Sequence, residues 1–365
     1  MFGIVRMPAQ GVKKGYALLS YMTEPFTLAP WERESTRHSN YWECKEMARL
    51  LSQKGYVVDV INWDNTLFRP KIPYSICIDT SCNLKRLSDH LPASCIKIMH
   101  IISSHWKFQN NAELARIANL KKRRGIELAP RRQTPPSENI EIADFVEGFG
   151  NTHSFKTFEF ARKHIVPIPI SVVCEYPFFK DRDLVSARKR FLWIGGGGCV
   201  LKGLDIVLES FAGTPELELF VCGPVKSEKD FYSAYKKELE DMPHIHFMGR
   251  IDVTSEVFKN ILKSCIGVIH ASASEGGGGA SIQAMHGGLI PIATKESTVP
   301  LGDFGILLNN PSVSELQTIV RKISRTSPEE LARRSEQSWS YARTHHTRHA
   351  FSQAYSRFLD TVCRP

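Results

Sequence analysis

Two glycine-rich stretches contain the residues of this sequence that are best suited to bind a charged ligand. The first, GGGGCVLK, ends at Lys202, and the second begins at Glu275 and continues through Gly276–Gly279. Each follows an apolar run typical of a buried strand and precedes residues with helical spacing. Glycine lets the main chain approach a ligand closely, and backbone N–H groups where a strand turns into a helix bind anions. The two stretches therefore predict phosphate-binding loops, and the alternative is a glycine-rich surface loop without a ligand.

The first glycine stretch matches neither of two common nucleotide-binding signatures. The dinucleotide pattern G-x-G-x-x-G fails, because its last glycine falls on Val200 or Leu201. The P-loop pattern fails because Lys202 is followed by Gly203 instead of serine or threonine. Two loops that converge on one diphosphate, with Glu275 available to a sugar or ribose hydroxyl, predict a nucleotide-sugar site. A nicotinamide-dependent oxidoreductase is disfavoured by the failed dinucleotide pattern.

The rest of the chain predicts the strands and helices that must position these loops. The predicted strands are 16–21, 57–62, 74–79, 96–102, 140–145, 165–170, 191–194, 217–222, 245–248, 266–269, 289–293 and 304–308. Predicted helices include 41–53, 111–124, 204–211, one that opens near 254, and a helical C-terminus from 327 with a break at 344–347. These repeated βα units predict an α/β protein with two doubly wound, Rossmann-like domains that face a cleft.

The boundary between the domains is predicted in the charged segment 175–190, which has no clear apolar face. The expected domains are an N-terminal domain at residues 1–185 and a domain at residues 186–345 that contains both glycine loops. Residues 346–365 predict a C-terminal helix that packs back toward the N-terminal domain. The first residues of the chain are expected to form a disordered lead-in.

Size and composition are those of a soluble globular protein. The chain has 365 residues, of which 42% are hydrophobic and 23% charged. No apolar stretch is long enough for a membrane span, and the N-terminus lacks the apolar core of an export signal. The nine cysteines include no C-x-x-C pair, so we expect reduced thiols, no metal site and a cytoplasmic location.

Positive charge is concentrated in one predicted helix end. The net charge is +9, and the densest run is Lys121, Lys122, Arg123 and Arg124. One interpretation is a solvated helix end, and the other is attraction to phosphates of an anionic membrane surface or a lipid-linked substrate. No signature of a nucleic-acid-binding module is present, so nucleic acid is not expected as a partner.

The second half of the chain resembles the donor domain of GT-B glycosyltransferases, and specifically the retaining glycosyltransferase family four (group 1). The stretches that carry the resemblance are FLWIGGGGCVLKGLDIVLESFA, LELFVCGPV and SASEGGGGASIQAMHGGLIPIAT. Two stretches of the first half, HSNYWECKEMARLLSQKGYVVDVINW and IKIMHIISSHWKFQN, resemble the branch of that family that builds bacterial surface polysaccharides.

The resemblance implies roles for individual residues. Lys202 corresponds to a lysine that contacts the donor diphosphate, and Glu275 to a carboxylate near the transferred sugar. His105, just beyond the strand at 96–102, is the candidate on the acceptor side. With Lys202 and Glu275, the implied donor-binding residues are Gly196, Gly197, Gly198, Gly278, Gly279, Ala280, Ser281 and Gln283.

Two positions depart from the family pattern. Gly197 stands where the family usually has an arginine, so one fixed charge near the diphosphate is missing. Gln283 stands where the family has a second glutamate. An amide still donates and accepts hydrogen bonds, so Gln283 remains a candidate ligand of ribose hydroxyls.

The implied function is transfer of a hexose-type sugar from a nucleoside diphosphate to a glycan or lipid-linked acceptor, with retention of anomeric configuration. The resemblance implies neither a metal nor a cofactor, because Lys202 and backbone amides supply positive charge to the leaving diphosphate. It is consistent with a cytoplasmic protein bound peripherally to the inner face of the cytoplasmic membrane. The alternative is a non-catalytic sugar-nucleotide-binding protein with the same fold.

Overall fold

The chain divides into two compact units. The computed structural model describes residues 3–29 and 38–363. The first unit comprises the described residues within 1–106, 135–173 and 346–365, and the second comprises 107–134 and 174–345. Packing thus assigns residues 107–134 to the second unit, whereas the sequence-based division follows chain order. The last helix packs with the first unit.

The two units contain parallel-stranded sheets flanked by helices. The strands are β1 Val5–Met7, β2 Gly15–Tyr21, β3 Tyr56–Asn62, β4 Ile76–Asp79, β5 Ile96–Ile101, β6 Phe145–Gly148, β7 Ile165–Pro167, β8 Arg190–Ile194, β9 Glu218–Cys222, β10 Ile245–Gly249, β11 Gly267–His270, β12 Ile290–Ala293 and β13 Ile306–Leu307. The α-helices are α1 Glu24–Thr27, α2 Asn40–Gln53, α3 Asn83–Ser88, α4 Trp106–Arg124, α5 Asn139–Ile142, α6 Thr152–Lys156, α7 Leu184–Ala187, α8 Leu204–Ala212, α9 Lys229–Ala234, α10 Glu256–Ser264, α11 Gly279–Met285, α12 Val313–Ser324, α13 Pro328–His345 and α14 Arg348–Val362.

The sheet of the first unit has the strand order β1-β3-β2-β4-β5-β6-β7, and only β1 is antiparallel to its neighbour. The expected disordered lead-in is wrong at Val5–Met7, which forms β1. Arg6 donates hydrogen bonds of 2.7 and 2.8 Å to the buried carboxylate of Asp59 on β3. A buried carboxylate needs such partners, and this contact joins positions too far apart to be read from local sequence.

The sheet of the second unit is parallel throughout, with the order β10-β9-β8-β11-β12-β13. Phe191 on β8 packs against Phe211 of α8 with ring centroids 5.7 Å apart. Helices cover both faces of this sheet, and this explains why its strands read as nearly continuous apolar runs. The predicted α/β fold with two doubly wound units is confirmed.

The basic run at the end of α4 is largely neutralised within the second unit. Lys121 pairs with Glu127 at 2.7 Å. Arg123 pairs with Asp205 at 2.6 Å and with Glu209 at 3.0 Å, and Arg124 pairs with Glu238 at 2.7 Å. These ion pairs hold α4 on the second unit, while all four residues of the run remain exposed. Attraction of the run to a membrane surface stays a prediction.

Two other segments differ from the sequence-based expectation. The predicted strand at 140–145 is wrong, because residues 139–142 form the short helix α5 and β6 starts only at Phe145. Short apolar runs do not distinguish strand from helix by periodicity alone. The charged segment 175–190 is packed, since the buried guanidinium of Arg182 donates to the carbonyls of Leu262 and Gly288, both at 3.1 Å.

Within the described residues no helix has the length and apolar character of a membrane span.

Candidate functional site

The two glycine loops follow neighbouring strands at the point where the strand order of the second sheet reverses. From β8 the chain moves outward through β9 and β10, and then returns to β11 on the other side of β8. In doubly wound sheets, ligands bind beyond the carboxyl ends of the strands at such a switch point. The loops at 195–203 and 271–278 are therefore in the position expected of a ligand site.

Direct contacts join the two loops. The Ala273 N–H donates to the Leu201 carbonyl at 2.9 Å. Gly203 has a φ of +71°, and a Cβ there would lie 2.4 Å from the carbonyl oxygen of Ala271. Only glycine fits this conformation and this close approach. The first loop is thereby fixed against the second, and Lys202 is directed toward the residues that follow β11.

Lys202 and Glu275 meet in a compact polar network. The Lys202 ammonium donates a hydrogen bond to Oε1 of Glu275. The Ser272 hydroxyl donates to the same oxygen at 3.2 Å, and Nε2 of His270 lies 3.3 Å from it. Nδ1 of His270 lies 2.6 Å from the hydroxyl of Ser281, at the start of α11. The structure thus brings three of the predicted site residues together: Lys202, Glu275 and Ser281.

Glu275 is ionised at neutral pH in this network. Burial would raise the pKa of Glu275, but the Lys202 ammonium and the His270 ring outweigh burial and hold that pKa well below its usual range. The side chains of Lys202 and Glu275 are 13% and 15% exposed. An ammonium has three N–H donors, so Lys202 can contact a phosphate while it remains paired. Glu275 can accept hydrogen bonds from sugar hydroxyls, but it is not poised as a general acid.

The second loop ends in a tightly packed glycine. Gly278 precedes α11 with a φ of +61°, and a Cβ there would lie 2.7 Å from Cγ2 of Val299. The N–H groups of Gly279 and Ala280 belong to the first turn, where a helix provides no acceptors of its own. These groups are suited to bind oxygen atoms of a ligand near Glu275.

The first loop is open at one end and closed at the other. A Cβ placed on the exposed Gly196 would meet no atom of the described residues within 4 Å. In contrast, the Gly198 N–H donates to Oε1 of Glu228, and the Cys199 N–H donates to Oε2 of Glu228 at 3.1 Å. A phosphate would therefore reach the Gly198 amide only by displacing the buried Glu228 carboxylate.

Comparison with known proteins shows which family and which solved structures this chain resembles. Residues 188–338 match the family described as glycosyl transferases group 1. No match to a curated protein was found. Among solved structures, Anabaena HepE in complex with UDP and glucose has 14% identity and a TM-score of 0.59, over 97% of this chain and 100% of that chain. Sucrose-phosphate synthase from Thermosynechococcus elongatus has 14% identity and a TM-score of 0.68, over 96% and 99%. A glycosyltransferase from Rickettsia africae has 13% identity and a TM-score of 0.56, also over 96% and 99%.

The chain has the GT-B fold. The family match runs from just before β8 into α13 and includes both glycine loops. Over this segment the chain is similar to glycosyltransferases.

One residue predicted to bind the donor, Gln283, has a structural partner. Gln283 is buried, and its side-chain amide pairs with the backbone of Cys174. Its oxygen accepts from the Cys174 N–H at 3.3 Å, and its nitrogen donates to the Cys174 carbonyl at 2.6 Å. Gln283 thus holds Cys174, just before the charged segment 175–190. Its contact with ribose remains a prediction.

Sequence reasoning missed three residues of this region of the GT-B chain. His270 is the last residue of β11, and a polar residue that ends an apolar run just before a glycine loop was an available signal. Glu228 and Arg132 gave no local signal. The aliphatic part of the Arg132 side chain lies against the first loop. A Cβ added at Gly198 would be 2.4 Å from Cγ of Arg132.

The position of Arg132 is set by α4. Its N–H donates to the buried carboxylate of Glu113 at 2.8 Å, and its carbonyl accepts from the buried amide of Gln109 at 2.8 Å. The side chain itself is exposed. Arg132 therefore supplies a cation beside the first glycine loop.

The predicted acceptor-side residue, His105, belongs to the first unit. Its N–H donates to Oγ1 of Thr157 at 2.9 Å. Its half-buried ring lies 5.4 Å from the Phe158 ring and 5.0 Å from the Phe160 ring, measured between centroids. A role for His105 toward an acceptor remains a prediction.

Residues 3–29 and 38–363 contain no group of three or more His, Cys, Asp or Glu side chains arranged to hold a metal ion.

Proposed function

We propose that this chain is a retaining hexosyltransferase of glycosyltransferase family four, which transfers a sugar from a nucleoside-diphosphate sugar to a glycan or lipid-linked acceptor. The observation that carries the proposal is the contact between Lys202 and Glu275 at the switch point between β8 and β11. A cation suited to a diphosphate and an anion suited to sugar hydroxyls lie side by side there. The structural relative HepE, which binds UDP and glucose, supports the same ligand class.

The donor reaction places negative charge on the leaving diphosphate. Lys202, with the amides of Gly279 and Ala280, would stabilise that charge as the bond between the sugar carbon and the phosphate oxygen breaks. The acceptor hydroxyl attacks the same face of the sugar and transfers its proton to a diphosphate oxygen. Glu275 orients the sugar through its hydroxyls, and His270 and Ser272 hold the Glu275 carboxylate in position.

A non-catalytic sugar-nucleotide-binding protein is the second candidate. The Glu228 carboxylate accepts the hydrogen bond of the Gly198 N–H, and Gly197 provides no side-chain cation. Both features reduce the number of contacts available to a diphosphate in the first loop. Turnover of any donor separates this candidate from the enzyme, because both candidates bind the nucleotide.

A donor screen followed by product analysis tests the proposal. Thermal shift with UDP-, GDP- and ADP-sugars would identify the nucleotide, and release of nucleoside diphosphate in the presence of candidate acceptors would measure turnover. Proton NMR of the first product reports whether its anomeric configuration equals that of the donor. Binding without release would favour the non-catalytic protein, and an inverted product would contradict retention.

A further inference from the structure

The strongest feature outside the donor site is a groove in the first unit between the start of β6, β7 and the last helix, α14. We call it the β7–α14 groove, and its volume is about 760 Å³. We propose that the β7–α14 groove binds the phosphate headgroup and the adjoining acyl chain of an anionic membrane phospholipid. This inference does not depend on the identity of the donor.

The floor of the groove is apolar and comes from three elements. Phe145 and Val146 belong to β6, Val166 belongs to β7, and Ala354 and Phe358 belong to α14. On α14 the lining positions recur at helical spacing, so one stripe of that helix faces the groove. The volume is in the range of sites that bury a small molecule, and the floor provides the apolar contact that an acyl chain needs.

The rim of the groove is basic. Arg162, Lys163, His164 and Arg357 line it, together with a single acid, Asp144. The Asp144 carboxylate already accepts from the Lys97 N–H at 2.7 Å.

Two of the lysine and arginine side chains on the rim are available to a ligand. Arg162 and Arg357 are exposed, and no ion pair joins either to another residue in the part of the chain that the structure describes. In the basic run at 121–124, in contrast, Lys121, Arg123 and Arg124 are engaged in ion pairs within the second unit. Unpaired cations are the ones that attract an anionic surface.

The combination of floor and rim favours a phospholipid over a soluble phosphate. A soluble phosphate would use only the rim, whereas an anionic lipid satisfies the cations and covers the apolar floor. Peripheral attachment generally requires both signals, an apolar insertion and a basic patch. Phe160, next to the lining residue Ala161, is 56% exposed and adds apolar surface beside the rim.

The groove is separate from the ligand edge of its own sheet. Phe145 and Val146 begin β6, whereas the carboxyl end of that strand, where doubly wound sheets bind substrates, is Gly148. A lipid in the groove would therefore hold the first unit at a membrane without occupying that edge. This arrangement suits an enzyme whose acceptor is embedded in the same membrane.

Vesicle sedimentation at low salt tests the proposal with the full chain. The wild type is expected to bind vesicles made of equal parts phosphatidylglycerol and phosphatidylcholine, and not vesicles of phosphatidylcholine alone. The double variant Arg162→Glu/Arg357→Glu should bind the anionic vesicles at least about tenfold more weakly. The matched control, Lys322→Glu/Arg325→Glu, makes the same change of net charge at exposed positions on α12 and its end and should bind like the wild type.

A third variant separates the floor from the rim. Ala354→Trp fills the groove without changing net charge and should also weaken binding to anionic vesicles. Thermal melts and nucleotide affinity check that each variant is folded and keeps its donor site, so failure of the donor assignment would be seen separately. The proposal is overturned if the wild type does not bind anionic vesicles, if the groove variant binds like the wild type, or if the control loses as much binding. Full binding by Ala354→Trp would overturn the acyl-chain part.

Discussion

The Lys202 ammonium donates a hydrogen bond to the Glu275 carboxylate, although 73 positions separate the two residues in sequence. The contact forms because β8 and β11 are neighbours in the sheet and each is followed by a glycine loop. A cation and an anion that are both largely shielded from solvent stabilise each other, and removal of either leaves the other uncompensated. Variants of this pair therefore test both the site and its electrostatic balance.

Replacement of Lys202 by alanine is expected to abolish most donor turnover. A charge-assisted contact contributes about 1.5–3 kcal/mol, so nucleoside-diphosphate affinity should fall about 10- to 100-fold. Turnover should fall further, because charge on the diphosphate increases in the transition state. Isothermal titration with the nucleoside diphosphate and a nucleotide-release assay measure the two effects. Lys322→Ala, at an exposed position, is the control, and an unchanged affinity and rate in Lys202→Ala would contradict the site assignment.

Replacement of Glu275 by glutamine should lower the rate more than the donor affinity. The amide keeps the size of the carboxylate but removes the negative charge that orients the sugar hydroxyls and pairs with Lys202. We expect a decrease in kcat of about 100-fold, with the donor KM changed by less than about fivefold. Steady-state kinetics with the donor from the screen make this comparison. Equal losses of rate and affinity in a folded variant would indicate that Glu275 acts only in the structure.

Lowering the pH should reduce the free energy of unfolding that this network contributes. The pKa of Glu275 is held low in the folded chain, so its ionised form contributes stability above the ordinary carboxyl pKa, and that stability is lost as the pH falls. Urea unfolding of the wild type and Glu275→Gln at several pH values would measure the contribution. The difference in the free energy of unfolding should shrink toward acid pH, and a difference independent of pH would contradict the assignment of charge.

The sequence was informative where local pattern determines structure. Glycine after an apolar run predicts both loops, and Lys202 and Glu275 are predicted site residues because they lie beside those loops in the sequence. The break between α13 and α14 was predicted at 344–347, and the helices end and begin at His345 and Arg348. These features depend on residues close together in the chain.

The sequence was uninformative where distant residues determine structure. β1 depends on Arg6 and Asp59, and the placement of α4 depends on acids such as Asp205. The partner of Gln283 is 109 positions away at Cys174. No periodicity or motif predicts such contacts. In the sequence, Arg6, Asp205 and Gln283 are polar residues that could equally have water as their partner.

The first glycine loop provides a matched pair of substitutions. Gly198 has a φ of +89°, and a Cβ there would lie 2.4 Å from Cγ of Arg132. Gly196 is exposed, and a Cβ there meets none of the described atoms within 4 Å. Gly198→Ala should therefore lower the free energy of unfolding by about 1–2 kcal/mol, and Gly196→Ala by less than about 0.5 kcal/mol.

Urea denaturation of the two alanine variants measures this difference. The double variant Gly198→Ala/Arg132→Ala should recover part of the loss, because the side-chain overlap disappears while the left-handed backbone remains. If Gly196→Ala were as unstable as Gly198→Ala, the loop would have a different conformation from the one described.

A buried carboxyl in the first unit predicts a second pH dependence, of opposite sign. Burial raises the pKa of Glu43 to about 7, although the Ser171 N–H and hydroxyl each donate to its carboxylate at 2.8 Å. The folded chain then holds a proton that the unfolded chain releases near the ordinary carboxyl pKa. The stability contributed by this group is full below that pKa and is lost as the pH rises toward 7. The loss is on the order of 3 kcal/mol at most.

Glu43→Gln separates this contribution from those of other titrating groups. Glutamine remains neutral and can still accept from Ser171, so the variant should gain stability relative to the wild type as the pH rises from about 5 to about 7. Glu141→Gln, at an exposed position of α5, is the control. Thermal unfolding of the three proteins across that range measures the difference between them. A constant difference between Glu43→Gln and the wild type would mean that Glu43 is already ionised at pH 5 in the folded chain, and that its hydrogen bonds outweigh its burial.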